Sequence, residues 1–156
     1  MSRRVVITGL GVCAPNGVGL ADFTQSLKEG KSGIRHQPIL EKLGFGCQIA
    51  GEPLVKDNRI DDYFTPLERR GLNATGIVYG VIAGVDAWKD AGLEGNVTEE
   101  PCWERGILFG TGILGVDKFR EAIHLIDEGN VRRLGSTSVI QTMASGISAY
   151  IGGLLG

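Results

Sequence analysis

Few residues in this chain have the type and spacing to do chemistry, and two glycine patterns are the most conspicuous. Gly9-Leu10-Gly11-Val12-Cys13-Ala14 fits G-x-G-x-x-A, and Gly110-Thr111-Gly112-Ile113-Leu114-Gly115 fits G-x-G-x-x-G. In a dinucleotide-binding turn such glycines let the backbone approach a pyrophosphate resting on a helix N-terminus. The first pattern runs into Pro15-Asn16-Gly17, a turn where that helix should begin. The second does precede a helical stretch. About 20 residues further on, where an acidic residue should end a strand, the chain reads Arg132-Arg133-Leu134-Gly135. Both patterns therefore read as close-packed turns between strand and helix, with a small nucleotide-binding domain as the rival reading.

The other candidates are sparse. Cys13, Cys47 and Cys102 are widely spaced, form no Cys-x-x-Cys pair and have no neighbours that would turn a thiol into a thiolate. His36 falls in a loop beside Arg35, and His124 borders the apolar face of a helix, so both are expected at the surface. Asp61-Asp62 and Glu99-Glu100 read as solvated charge rather than an acid/base pair. Arg69-Arg70 and Arg132-Arg133 are local basic clusters on an acidic chain. Arginines at a helix start oppose the helix dipole, which points to an anionic partner outside the chain. No catalytic residue, metal site or cofactor follows from these side chains.

An alternation of strands and helices must position them. Residues 3–10 read as a buried strand, followed by a helix carrying Leu20, Phe23 and Leu27 and stopped at Gly30. Residues 31–64 are irregular, with a short strand near 47–50. Thr65-Pro66-Leu67-Glu68 opens a helix with a capping box and proline at the first position. The spacing predicts that this helix runs to Gly92. Gly76, Gly80 and Gly84 form a stripe along it. Each interior glycine costs about 1 kcal/mol relative to alanine, so the stripe implies a close packing partner. Asp86, Lys89 and Asp90 argue against a membrane-dimer reading of the stripe. Residues 105–110 read as a second buried strand. Val116, Phe119, Ile123 and Ile126 mark a helix ended by Gly129, and residues 139–155 a buried helix rich in small side chains. Such alternation implies an α/β layer structure.

The composition sets the outer bounds. At 156 residues the chain has the size of one domain, with 42% hydrophobic and 22% charged residues and a net charge of −2. That balance excludes a dedicated basic nucleic-acid binder and a disordered chain. Glycine, at 25 residues, is roughly twice its usual frequency. It lacks a G-X-Y period, which leaves a packed fold with many close backbone approaches. No apolar run approaches the ~20 residues of a membrane span, and the start is too broken for a signal peptide. The odd, scattered cysteines fit a reducing cytoplasm.

Several stretches, taken in order, resemble the N-terminal half of a β-ketoacyl-acyl-carrier-protein synthase, a condensing enzyme of the thiolase-like fold. They are Arg4-Val5-Val6-Ile7-Thr8-Gly9-Leu10-Gly11-Val12, Leu27-Lys28-Glu29-Gly30-Lys31-Ser32-Gly33-Ile34, Asp86-Ala87-Trp88-Lys89-Asp90-Ala91-Gly92-Leu93, Gly110-Thr111-Gly112 and Met143-Ala144-Ser145-Gly146. The short spacing from Gly112 to Met143 is more similar to the synthase I branch than to synthase II. The resemblance implies an α/β chain forming the N-terminal half of a layered αβαβα fold. It also implies a decarboxylative Claisen condensation in fatty-acid or polyketide assembly, without a cofactor. A cysteine nucleophile and two histidines carry that reaction.

By the same resemblance, the cysteine motif lies a short way beyond Gly156 and the histidines further on. Neither Cys13, Cys47 and Cys102 nor His36 and His124 align with them. Ile113 matches a position lining the acyl pocket, and Met143 one near the dimer interface that closes the partner's pocket. Arg69 and Arg132 match positions near the surface that docks an acidic acyl carrier protein. The implied assembly is a homodimer or a ketosynthase/chain-length-factor heterodimer, with no nucleic acid and no membrane. The alternative is a non-catalytic, chain-length-factor-like partner subunit.

Overall fold

The computed structural model describes residues 4–93, 100 and 102–155; the first residue of the predicted strand 3–10, Glu99 and Gly156 lie outside the described residues. The elements in chain order are β1 (Cys13–Ala14), β2 (Gly17–Val18), α1 (Leu20–Lys28), β3 (Ile34–His36), α2 (Pro38–Lys42), β4 (Ile49–Gly51), α3 (Asp57–Asp61), α4 (Pro66–Gly71), α5 (Thr75–Asp90), α6 (Val116–Asp127), a 3-10 turn over Val131–Arg133, α7 (Ser138–Thr142) and α8 (Gly146–Leu155). β1 and β2 pair antiparallel around Pro15-Asn16, with Cys13 opposite Val18. β3 and β4 pair antiparallel with His36 opposite Ile49, so His36 stands on a strand rather than in a loop.

Helix α5 is the centre. At about 100° per residue its large apolar side chains and its small ones separate onto two sides. Ile77, Val78, Val81, Ile82 and Val85 join Tyr63, Phe64, Leu114, Ile147, Ile151 and Leu155 in the buried cluster. On the small side, a Cβ at Gly76 would stand 2.5 Å from Leu114 Cδ1. At Gly80 it would stand 2.7 Å from Ile147 Cδ1, and at Gly84 2.6 Å from Ile151 Cδ1. The partner implied by the glycine stripe is therefore α8 together with Leu114. The first glycine pattern rests on the same helix. A Cβ at Gly9 would stand 2.5 Å from the Ala91 nitrogen, and one at Gly11 2.5 Å from the Ala87 nitrogen. It is a close-packed turn, as its sequence context implies.

Four expectations need correction. The helix predicted over residues 65–92 is broken into α4 and α5, because the Gly71 carbonyl accepts the Thr137 hydroxyl. The Asn73 and Ala74 N–H groups donate to Gln141 Oε1. Side chains from near α7 thus take the backbone groups that a continuous helix would have paired. Residues 139–155 likewise divide, with Met143 leaving α7 in extended conformation. The runs at 4–10 and 105–110 form no strand and have no strand partner among the described residues, and Ile7 and Leu108 are 84% and 102% exposed. A β-branched run becomes a buried strand only when neighbouring strands complete its hydrogen bonds. Finally, Gly110 and Gly112 border open space, so close packing in the second pattern holds only at Gly115. The face of α6 formed by Val116, Phe119, Ile123 and Ile126 is apolar as predicted but exposed.

Candidate functional site

Ile113 and Met143 stand on two loops that the fold joins. Ile113 precedes α6 and is 77% exposed; Met143 follows α7 and is 48% exposed. Neither belongs to the buried core. Beneath them the chain is fixed. Leu114 is buried against the Gly76 position of α5. Gly115 takes a left-handed conformation at φ 64°, and a Cβ there would run into the Gln141 carbonyl and stand 3.0 Å from Thr142 Cα. The two loops therefore meet backbone to backbone.

Gln141 ties them to α5. That helix starts at Ala74, which has no side-chain acceptor for the free amides of the first turn. Gln141 Oε1 accepts from Asn73 N–H at 2.7 Å and Ala74 N–H at 2.8 Å. Asp117 Oδ2 accepts from Thr75 N–H at 3.1 Å, placing a carboxylate at the positive end of the helix dipole. Sequence reasoning missed both residues. The only signal was Ala74 itself, a poor cap that demands an acceptor from elsewhere.

The arginine pairs are rearranged relative to expectation. Because α4 ends at Gly71, Arg69 and Arg70 lie in its last turn, where a cation suits the dipole instead of opposing it. Arg69 Nη1 stands 2.6 Å from Asp61 Oδ1 and Nη2 2.9 Å from Asp57 Oδ1. It clamps α3 to α4, and Asp61 is an ion-pair partner rather than a free solvated charge. Arg132 is exposed on the 3-10 turn. Its neighbour Arg133 joins Arg70 and Lys118 around a polar cleft of about 140 Å³ that also contains Thr137 and Gln141. Lys118 is paired with Glu121 at 2.7 Å, and among the described residues no carboxylate forms an ion pair with Arg70 or Arg133.

No described group combines a nucleophile with a base. Cys13 lies half-buried on β1; burial first, and the Asp86 charge second, push its thiol up to about 11. It is a protonated thiol at neutral pH. Asp86 itself accepts from Arg59 Nη2 at 2.9 Å and from the Tyr63 hydroxyl. Burial and that bond raise the Tyr63 phenol in turn. Asp90 Oδ2 accepts from the Leu10 N–H at 2.8 Å, so both carboxylates anchor neighbouring segments to α5. His36 is exposed beside Glu41, and His124 is exposed in the last turn of α6. Among the described residues, no helix is long and apolar enough to cross a membrane.

Residues 2–156 match the family described as beta-ketoacyl synthase, N-terminal domain. The 3-oxoacyl-[acyl-carrier-protein] synthase 2 of Vibrio harveyi is 33% identical over 157 residues, which cover 99% of this chain and 37% of that protein. The chain thus spans a little over a third of that relative, a synthase 2, rather than half. Among solved structures, a type II PKS acyl-carrier protein in complex with its ketosynthase matches with a TM-score of 0.72 and 19% identity. The match covers 100% of this chain and 40% of that one. The ishigamide ketosynthase/chain length factor matches with a TM-score of 0.71 and 25% identity, over 98% and 37%. These likenesses place the chain in the α/β class, as the N-terminal part of a layered thiolase-like fold.

Proposed function

This chain belongs to the β-ketoacyl synthase family, as its N-terminal domain, and from that membership we propose that the whole protein is a 3-oxoacyl-[acyl-carrier-protein] synthase. The observation carrying this reading is the match along residues 2–156. In the proposed reaction a cysteine thiolate takes the acyl group from a carrier thioester and releases the carrier thiol. A malonyl thioester then loses carbon dioxide. Its carbanion attacks the acyl-enzyme carbonyl, expelling the cysteine thiolate and leaving a 3-oxoacyl thioester. On the family resemblance, the nucleophile and the oxyanion-binding histidines are assigned to the protein outside residues 1–156. Residues 1–156 are the N-terminal ketoacyl synthase domain of that protein, preceding the nucleophile motif.

Within this reading Ile113 and Met143 line the acyl pocket. Their apolar, solvent-facing side chains on two joined loops are what such a wall requires. Met143 sits where a second subunit, of the same or a chain-length-factor kind, closes the pocket. The acidic acyl carrier protein docks on Arg132 with Arg70 and Arg133. Arg69, spent on two carboxylates, holds that surface in shape. The second reading, a chain-length-factor-like subunit, draws on the likeness to the ishigamide ketosynthase/chain length factor.

The whole protein incubated with a labelled acyl thioester and malonyl carrier should become acylated and form 3-oxoacyl product. Folded protein that takes no label, yet co-purifies with an active ketosynthase, would establish the subunit reading instead. For docking, Arg70→Glu with Arg133→Glu should weaken carrier binding at low salt more than Arg69→Glu does. Equal effects would remove the cleft from the docking surface.

A further inference from the structure

We propose that Gln141 is a positioning residue that sets acyl-chain-length selectivity by fixing the Met143 and Ile113 loops to the start of α5. The proposal rests on the condensing-enzyme reading above. Gln141 is 5% exposed, and a single oxygen on its side chain holds two main-chain amides 67 and 68 residues away. Its own carbonyl lies against Gly115, and Met143 follows two residues later. One residue therefore fixes three things together: the first turn of α5, the turn carrying Ile113, and the loop carrying Met143.

Removing that oxygen leaves the Ala74 amide buried without its acceptor. A buried unpaired donor is costly enough for the surrounding backbone to move to satisfy it. The segments free to move are the two loops, because Leu114 and Ile147 on either side are locked against the glycine stripe of α5. Movement there shifts the pocket wall while the reacting groups, which lie elsewhere in the protein, stay in place. The far end of a long acyl chain meets the shifted wall; a short chain does not reach it. Gln141 also lines the basic cleft, but a change in carrier docking affects long and short donors alike and cancels in their ratio.

The test compares kcat/KM for a long and a short acyl donor in the whole protein carrying Gln141→Leu, Gln141→Glu or Gln141→Asn. Gln141→Leu should change the long-to-short ratio by about fivefold or more, a change typical of a misplaced apolar contact. Gln141→Glu keeps an acceptor oxygen at the same reach and should restore the ratio. If the leucine variant does not fold, Gln141→Asn takes its place. Its shorter side chain should move the ratio and speed hydrogen exchange at the Asn73 and Ala74 amides. A folded leucine or asparagine variant with the wild-type ratio overturns the proposal, as does a folded glutamate variant that fails to restore it. Inactive wild-type protein would instead overturn the condensing-enzyme reading.

Discussion

Alanine at Gly80 measures how tightly α8 is seated on α5. A Cβ there would lie 2.7 Å from Ile147 Cδ1, 2.8 Å from Ile147 Cγ2 and 3.1 Å from Phe109 Cζ. Rotation about the outer side-chain bond moves Cδ1 but leaves Cγ2 in place, because Cγ2 branches from Cβ. Ile147 is 2% exposed, so relief requires the helices to separate. Overpacking of this kind costs about 1–3 kcal/mol, and the better helix propensity of alanine offsets about 1 kcal/mol. The net expectation is a loss of up to about 2 kcal/mol. Gly84 provides the contrast. Its near neighbour is Ile151 Cδ1 at 2.6 Å, with the next atom, Cγ1, at 3.8 Å. A single rotamer change clears that overlap, so Gly84→Ala should be neutral or slightly stabilising. Gly153 on α8 borders open space, and alanine there should stabilise by up to about 1 kcal/mol. Urea unfolding midpoints at constant m give all three differences. A Gly80→Ala protein as stable as Gly84→Ala would refute the tight-seating argument.

Thr65→Ala removes the acceptor of the Glu68 N–H and should lower stability by about 1 kcal/mol in urea unfolding. Thr65 is also the main reason the Glu68 carboxyl is held below its ordinary value. That contribution is present above the ordinary carboxylate pKa and is lost as pH falls through the lowered one, so the difference between variant and wild type should shrink in acid. Cys13 has the opposite sign. Its folded thiol keeps a proton up to about 11, where the unfolded thiol releases it near 9.0. The Cys13 contribution to stability should therefore be flat below pH 9 and fall as pH rises from 9 towards 11. Because the group is only half-buried, the slope should stay below about 1.4 kcal/mol per pH unit. Cys13→Ala should flatten it, and an unchanged slope in that variant would assign the effect to other groups.

Helix identity was legible wherever local chemistry decides it. The capping box at Thr65, the amphipathic spacing of α6 and the stops at Gly30, Gly92 and Gly129, all at positive φ, are written into neighbouring residues. So was the existence of a close partner for the glycine stripe, because each interior glycine costs about 1 kcal/mol relative to alanine. What escaped was decided across long separations. The break between α4 and α5 depends on Thr137 and Gln141, side chains 66 and 68 residues from the groups they hold. The distinction between Arg69 and Arg70 depends on Asp57 and Asp61 lying under one and not the other. Only packing shows that Arg69 is engaged by two carboxylates.

The same logic bears on the apolar runs at 5–8 and 106–109, which pair with no strand among the described residues. Both border a cavity floored by Gly84, Ala87 and Leu155, on the small-residue side of α5. In an α/β layer a helix offers glycine and alanine where backbone must come close, and the strands lying over it carry the bulky β-branched residues. Here that division of labour is complete on the helix side: Gly11 approaches α5 so closely that a Cβ would collide with the Ala83 carbonyl. The strand-forming side chains Val5, Ile7 and Leu108 still face outward. A single helix is thus built to receive α8 on its glycines and the turn at Gly9 and Gly11 on its alanines. This dual seating accounts for Gly9, Gly11, Gly76, Gly80 and Gly84, where a Cβ would collide with the facing segment.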